Sequence, residues 1–212
     1  MMKKRLLVLA LAAFVAGGVF AETTYNRFNV GGGFSFSGGR IGSLFSNSND
    51  WAGYNALGFG GHVFFGRTFA EMSLGLLNGP LYLVGAHPHD GRVSETLGSM
   101  LSLELNLLLR IPIYLGGATF FPLFGTGRNF VISASDQDGN YLPIANDLST
   151  FRLKFGAGTD FDINENFFFR VQGLGWYGFA PEFFRNLANL SRGFSARGGF
   201  GGSVGLAVGF GR

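Results

Sequence analysis

The sequence predicts an all-β chain, an antiparallel up-and-down eight-stranded transmembrane β-barrel. Three observations carry that expectation. Large apolar residues alternate with small or polar ones at a period of two in segment after segment, which is how a strand with two unlike faces reads. The connections between these segments alternate long and short, as in a barrel with tight turns at one rim and loops at the other. Only 14% of the residues are charged, while Gly numbers 36 and Phe 26, so the chain departs from the usual charged share of ~25%.

The first residues read as an export signal. Lys3, Lys4 and Arg5 precede a nearly continuous apolar run from Leu6 to Phe20, and Val19-Phe20-Ala21 supplies a cleavage site,. The expected division is 1–21 signal peptide and 22–212 outer-membrane β-barrel domain. The apolar run is short of the ~20 residues that a comfortable membrane helix needs. No Cys follows it, which excludes lipoprotein processing. Three of the 16 Lys and Arg lie in this segment and none of the 13 acids does. The mature chain is therefore formally neutral, so no nucleic acid is expected as a partner. With no cysteine in the chain, something other than disulfides must hold the exported domain together.

Each segment follows from its alternation. In the first, Phe28, Val30, Phe34 and Phe36 oppose Asn29, Gly31, Gly33 and Ser35. In the second, Leu57, Phe59, Val63 and Phe65 oppose Ala56, Gly58, Gly60, His62 and Phe64. The third, Phe69 to Leu77, sets Met72, Leu74 and Leu76 against Glu71, Ser73 and Gly75. The fourth, Leu97 to Ile111, sets Leu101, Leu103, Leu105, Leu107 and Leu109 against Ser102, Glu104, Asn106, Leu108 and Arg110. The fifth, Ala118 to Ile132, is apolar on both faces at first, and its phase stays open. In the sixth, Phe151, Leu153, Phe155 and Phe161 oppose Arg152, Lys154, Gly156, Gly158 and Asp160. The seventh sets Phe167, Phe169 and Val171 against Arg170 and Gln172. The last sets Val204, Leu206, Val208 and Phe210 against Ser203, Gly205, Ala207 and Gly209.

Between the segments lie roughly 37–53, 66–68, 78–95, 113–117, 133–149, 162–166 and 178–199, long and short in turn. Seven such connections give eight strands with both termini on the short-turn side, taken as periplasmic, and the long loops outside the cell. Closure is required because lipid offers no partner to a free strand edge. Glu182 to Asn189 is a candidate helical turn within the last loop.

The lumen of an eight-stranded barrel is just wide enough for its own side chains. Glu71, Glu104, Arg110, Arg152, Lys154, Asp160 and Arg170 take the inward phase, and ions in such a space must pair or hold water. Counting from the nearest short turn sets Glu104 level with Lys154, and Glu71 level with Arg170. A network of ion pairs bridging the lumen is expected. It serves either as stabilising filler or as a narrow, gated, mixed-charge pore.

Other motifs fall away. His87-Pro88-His89-Asp90 has metal-ligand types but sits in a loop that nothing holds in geometry. Asp136-Gln137-Asp138-Gly139-Asn140 resembles the start of a calcium loop, yet Tyr141 stands where that loop needs Gly and Asp147 where it needs Glu,. A turn at Asp138-Gly139 is the simpler reading. The stretches Gly31-Gly32-Gly33, Gly58-Phe59-Gly60-Gly61 and Gly198 to Gly202 open no helix, as a phosphate cradle must. His62 is inward with no identifiable acid beside it. No metal, no cofactor and no catalytic residue are expected. Tyr25, Phe28, Phe65, Phe69, Tyr114, Phe161 and Phe167 gather near the short turns, and Tyr54, Tyr177 and Phe179 near the long loops, as two interfacial belts do.

These residues resemble a family. The mature chain looks like the small outer-membrane barrels of the OmpA, OmpX and OmpW type. Phe120-Phe121-Pro122-Leu123-Phe124-Gly125 and Phe155-Gly156-Ala157-Gly158-Thr159-Asp160-Phe161 resemble runs in β-barrel proteins of spirochaetes such as treponemes. The resemblance implies a lipid bilayer as surroundings and docking of the last strand to the barrel-assembly machinery, whose signal ends in an aromatic residue. Here Gly211-Arg212 follow Phe210. Passage of small apolar molecules, associated with the OmpW branch, maps onto no motif here. Ligands of the loops are not legible. The competing readings are a secreted Gly/Phe-rich β structural protein, without loop parity, and a membrane-embedded hydrolase, with His beside an acid or Ser at one rim.

Overall fold

The computed structural model describes residues 28–43, 52–87, 91–143, 148–179 and 197–211. The expected signal, Tyr25, Pro88 to Asp90, Asp147 and the helical turn at 182–189 lie outside the described residues. Among the described residues nine strands form one antiparallel sheet: β1 (Asn29–Ser43), β2 (Ala52–Arg67), β3 (Ala70–His87), β4 (Gly91–Arg110), β5 (Ile113–Tyr114), β6 (Ala118–Asp136), β7 (Thr150–Asp162), β8 (Phe167–Phe179) and β9 (Arg197–Phe210). Each long strand pairs with its chain neighbour, β9 pairs with β1, and β4 pairs with β6 across the two-residue β5. The result is a closed eight-stranded up-and-down barrel. Its first and last strands run in register from Val30 beside Phe210 to Ser43 beside Arg197.

The alternation sets which way each strand faces. Phe34 on β1, Phe59 on β2, Leu76 on β3, Leu107 on β4, Phe124 on β6, Phe155 on β7, Phe167 on β8 and Val204 on β9 are all exposed. A belt of large apolar side chains thus passes round the whole outer wall. A water-soluble monomer rarely exposes contiguous apolar surface on this scale; in lipid it is the surface that belongs outside. Neighbours on the same strands point in, and Asn29, Glu71, Ser102, Lys154 and Arg170 are buried. The protein is inside out.

The structure corrects three readings. The expected long loop at 78–95 is a strand pair, with Leu83 beside Glu95 and His87 beside Gly91. Here β4 outruns β6, whose last partner is Gly98. Strict alternation of loop lengths therefore fails at the connection 88–90. Strands of ~9–11 residues suffice to cross a bilayer, whereas β3 has 18 residues and β4 has 20. The excess extends from the long-loop rim as a β3–β4 ribbon, with β2 paired to β3 as far as Gly85. Secondly, the fourth connection, expected at 113–117, begins with β5, which folds back against Thr119 and Phe120. Leu115 N donates to Ala118 O at 2.8 Å, and Gly116 takes φ +70° in that turn, a conformation open to Gly at no steric cost. Thirdly, Tyr54 is not a belt residue. It packs inward against Ile41, Leu81, Met100, Val131, Ala134, Leu148 and Trp176, which close the lumen at the long-loop end.

The open phase of the fifth segment resolves through a bulge. From Thr119 to Val131 the odd positions face inward, with Phe121 and Leu123 buried and Phe124 exposed. Ser102 pairs with Val131 and Leu101 with Ser133, which leaves Ile132 out of the ladder. The extra residue reverses the phase, so Ala134 is buried.

The aromatic girdle at the short-turn rim is otherwise as the strand ends dictate. Phe28, Phe65, Phe69, Tyr114, Phe161, Phe167 and Phe210 are exposed there. Phe167 and Phe210 meet edge to face with ring centroids 5.2 Å apart. Tyr177 and Phe179 make a similar pair at 4.9 Å near the other rim.

Candidate functional site

The lumen holds two tiers of ion pairs, each assembled from strands far apart in the sequence. The lower tier lies toward the short turns and joins Glu71 of β3, Arg110 of β4, Asp160 of β7 and Arg170 of β8. Arg170 forks onto Asp160, Nε to Oδ1 at 2.6 Å and Nη2 to Oδ2 at 2.9 Å, and its Nη1 pairs with Glu71 Oε2 across the barrel. Arg110 reaches the same two acids from the third side, Glu71 at 3.5 Å and Asp160 at 3.2 Å. Two cations and two carboxylates form a closed, neutral ring. Bidentate arginine–carboxylate geometry is the strongest form of such pairing.

Aromatic rings complete this tier. The Arg170 guanidinium carbon sits 4.1 Å from the Phe64 ring centroid and 4.9 Å from that of Phe121, and Arg110 stands 4.2 Å from Phe121. The rings exclude water and offer their negative faces to the cations. With Phe168, Phe64 and Phe121 are among the largest fully buried side chains.

The upper tier centres on Glu104 of β4. Its Oε1 accepts from Arg152 Nη1 at 2.7 Å, and its Oε2 lies 3.0 Å from Lys154 Nζ. Asn106 Nδ2 donates to Ser73 Oγ at 3.1 Å and reaches Glu104 Oε2 at 3.4 Å. Arg152 Nε donates to Thr150 Oγ1 at 3.1 Å, and its guanidinium stacks 3.9 Å from the Trp176 ring. Six residues separate the tiers on both β4 and β7, or roughly 20 Å along a strand. Between them pack Leu108, Phe121, Leu123 and Leu174.

All seven inward charges inferred from the sequence lie in these two tiers. Glu104 meets Lys154 and Glu71 meets Arg170, while among the described residues no ion pair links one tier to the other. Ser73 and Asn106 take inward positions in the sequence, but nothing there marks them, Thr150 or the aromatic shelf as supports of the ion pairs. Phe64 was visible as a large residue at an inward position, and Phe121 lay in the strand whose phase stayed open.

The tiers interrupt the lumen. A cavity of about 270 Å3 opens at the short-turn mouth, lined by Asn29, Thr68, Arg110, Tyr114, Thr119 and Asp160. A separate one of about 20 Å3 lies above the upper tier. Lys154, Phe121 and Leu108, at most 1% exposed, stand between. His62 Nδ1 has no hydrogen-bond partner among the described residues, and its ring lies 6.3 Å from that of Phe64. Among the described residues no group of three His, Asp or Glu converges to hold a metal. The Asp136 carboxylate binds its own turn, accepting from Asn140 N at 2.7 Å, Asp138 N at 3.0 Å and Asn140 Nδ2 at 3.1 Å. Those hydrogen bonds, that from the Asn140 side chain foremost, hold it below the usual carboxylate range.

No protein-family model matches the sequence, and no curated protein matches it either. Solved structures do match in shape. The outer membrane protein OprG of Pseudomonas aeruginosa aligns over 89% of this chain and 96% of its own, with TM-score 0.51 and 11% identity. The N-terminal β-barrel domain of OprF from the same organism covers 89% and 98%, with TM-score 0.41 and 15% identity. The outer membrane protease OmpT of Escherichia coli covers 91% and 100%, with TM-score 0.43 and 7% identity. At such identities the likeness to OprG is one of fold: the chain is built as an outer-membrane β-barrel.

Proposed function

We propose that the chain is an integral outer-membrane protein whose barrel is a closed, non-enzymatic scaffold for its long-loop rim rather than a solute channel. One observation carries this reading. Both ionic tiers span the lumen with Glu71, Lys154 and Arg170 buried to 2% exposure or less, and the cavities above and below do not meet. A permeating solute has to break pairs in a water-poor interior, where stripping one partner costs about 3–5 kcal/mol. The displayed elements are the β3–β4 ribbon and the connections 44–51, 137–149 and 180–196. Residues 1–21 act as the export signal, the termini face the periplasm, and β9 docks to the barrel-assembly machinery through Val204, Leu206, Val208 and Phe210.

Two measurements test this. Folded protein in SDS without heating runs apart from the boiled sample, because a sealed ladder leaves no edge for detergent to open. Identical mobility removes the barrel itself. In planar bilayers neither the wild-type protein nor Glu104→Gln shows unitary currents. Steady currents from the wild type overturn the plugged reading in favour of a pore.

A further inference from the structure

Among the described residues the seven buried charges do not balance. Glu71, Glu104 and Asp160 face Arg110, Arg152, Lys154 and Arg170. The lower tier is neutral, so the surplus cation belongs to the upper one, where Arg152 and Lys154 share the single carboxylate of Glu104. An unbalanced charge in a water-poor interior is costly, and Lys154 is fully enclosed at 0% exposure.

The cavity of about 20 Å3 borders this tier on its long-loop side, lined by Ser37, Ser102, Asn129, Arg152 and Trp176 among others. Space of ~10–15 Å3 by this measure holds one water, so the cavity takes one or two small occupants. Part of its polar lining lacks partners. Among the described residues the Trp176 indole N–H and both side-chain ends of Asn129 find no hydrogen-bond partner, although these residues are 3% and 1% exposed. Indole offers only a donor, and the Ser hydroxyls rotate to donate as needed. Buried donors without acceptors are rare in native interiors.

We infer that this cavity is a site for one small monovalent anion of halide size, held by Arg152, Asn129 and Trp176 and balancing the surplus charge of Arg152 and Lys154. Size and charge both select. A carboxylic metabolite exceeds the cavity, and a cation meets Arg152. The apolar cap of Ile41, Leu81, Met100 and Trp176 lies toward the long-loop rim and slows exchange, so the anion enters as the barrel folds.

The test uses bromide as probe. Trp51 and Trp176 are the two tryptophans of the chain, so Trp51→Phe protein reports on Trp176 alone. It is folded into detergent micelles over a bromide series, with sodium sulfate holding the ionic strength constant. Saturable quenching of Trp176 is expected, because the heavy halide sits against the indole. Lys154→Met in the same background leaves Glu104 paired with Arg152 and removes the surplus. Its half-saturation rises at least about tenfold, which corresponds to ~1.4 kcal/mol. Quenching that is absent or merely linear in bromide overturns the site in favour of a trapped water. Saturable quenching left unchanged by Lys154→Met overturns the role of the surplus charge. Should that variant not fold, Glu104→Gln raises the surplus and tightens bromide binding; unchanged affinity there has the same adverse meaning.

Discussion

Replacing Arg170 with methionine lowers the stability of the folded barrel by about 3–5 kcal/mol, the range for removing one partner from a buried ionic cluster. Arg170 is the hub of the lower tier. It holds Asp160 with two short hydrogen bonds and Glu71 with a third. Once it is gone, both carboxylates depend on Arg110, which stands 3.5 and 3.2 Å away. One anion is then left without adequate compensation at a site where Glu71 is 2% and Asp160 5% exposed. Methionine fits the space beside Phe64 and Phe121 as a flexible apolar filler, so the loss comes from charge more than from a void. The companion variant separates these causes. Arg170→Met with Asp160→Asn leaves Glu71 paired with Arg110, a neutral tier again, and recovers most of the deficit. The measurement is a urea titration in phospholipid vesicles, read as the fraction that stays compact on an unheated gel. Equal stability of Arg170→Met and wild type removes the tier from any account of what holds the barrel closed. Failure of the double variant to recover assigns the loss to packing.

Much of this arrangement was legible because a barrel wall one residue thick has only two faces. Where one face is lipid and the other a crowded lumen, alternation fixes both, and Glu71, Glu104 and Arg170 acquire an inward direction from their neighbours alone. Legibility stops where that contrast stops. Residues 78–95 read as a long connection, yet Pro80 pairs with Ser99 where β4 still has β6 on its other side. Beyond Gly98 β4 has β3 alone as a neighbour, with no lipid against one face and no lumen against the other, so the apolar–polar rule no longer applies. Phe120-Phe121 hides its phase because the inward Phe121 serves as a shelf for Arg110 and Arg170, a packing role that hydrophobicity cannot distinguish from lipid contact. The bulge at Ile132 reverses the phase within one strand, and no turn residue announces it. Tyr54 reads equally well as an interfacial ring or as part of the inner cap, and only the closed circuit of strands decides.

The second large effect tests whether the outer wall faces lipid, and it depends on depth. Leu105 and Leu109 are both exposed on β4, at 40% and 56%. Leu109 adjoins the short turn, whereas Leu105 stands four residues higher, roughly 14 Å along the strand. The apolar band of such a barrel is ~25 Å tall, so Leu105 comes near its middle and Leu109 near its edge. In vesicles Leu105→Arg costs about 2–4 kcal/mol and Leu109→Arg about 0–1, because a guanidinium at the edge reaches the headgroups and one at the centre does not. The gap of about 2–3 kcal/mol is a factor of roughly 30 to 150 in the folding equilibrium. A secreted β protein predicts otherwise: both positions face water, and a charge at either changes stability by no more than about 0.5 kcal/mol. Equal, small effects at the two positions therefore favour a soluble wall, while equal, large effects point to protein packed against β4. Only a gradient that follows height reports a slab of hydrocarbon around the barrel, since no other surroundings grade the cost of one charge by distance from a midplane.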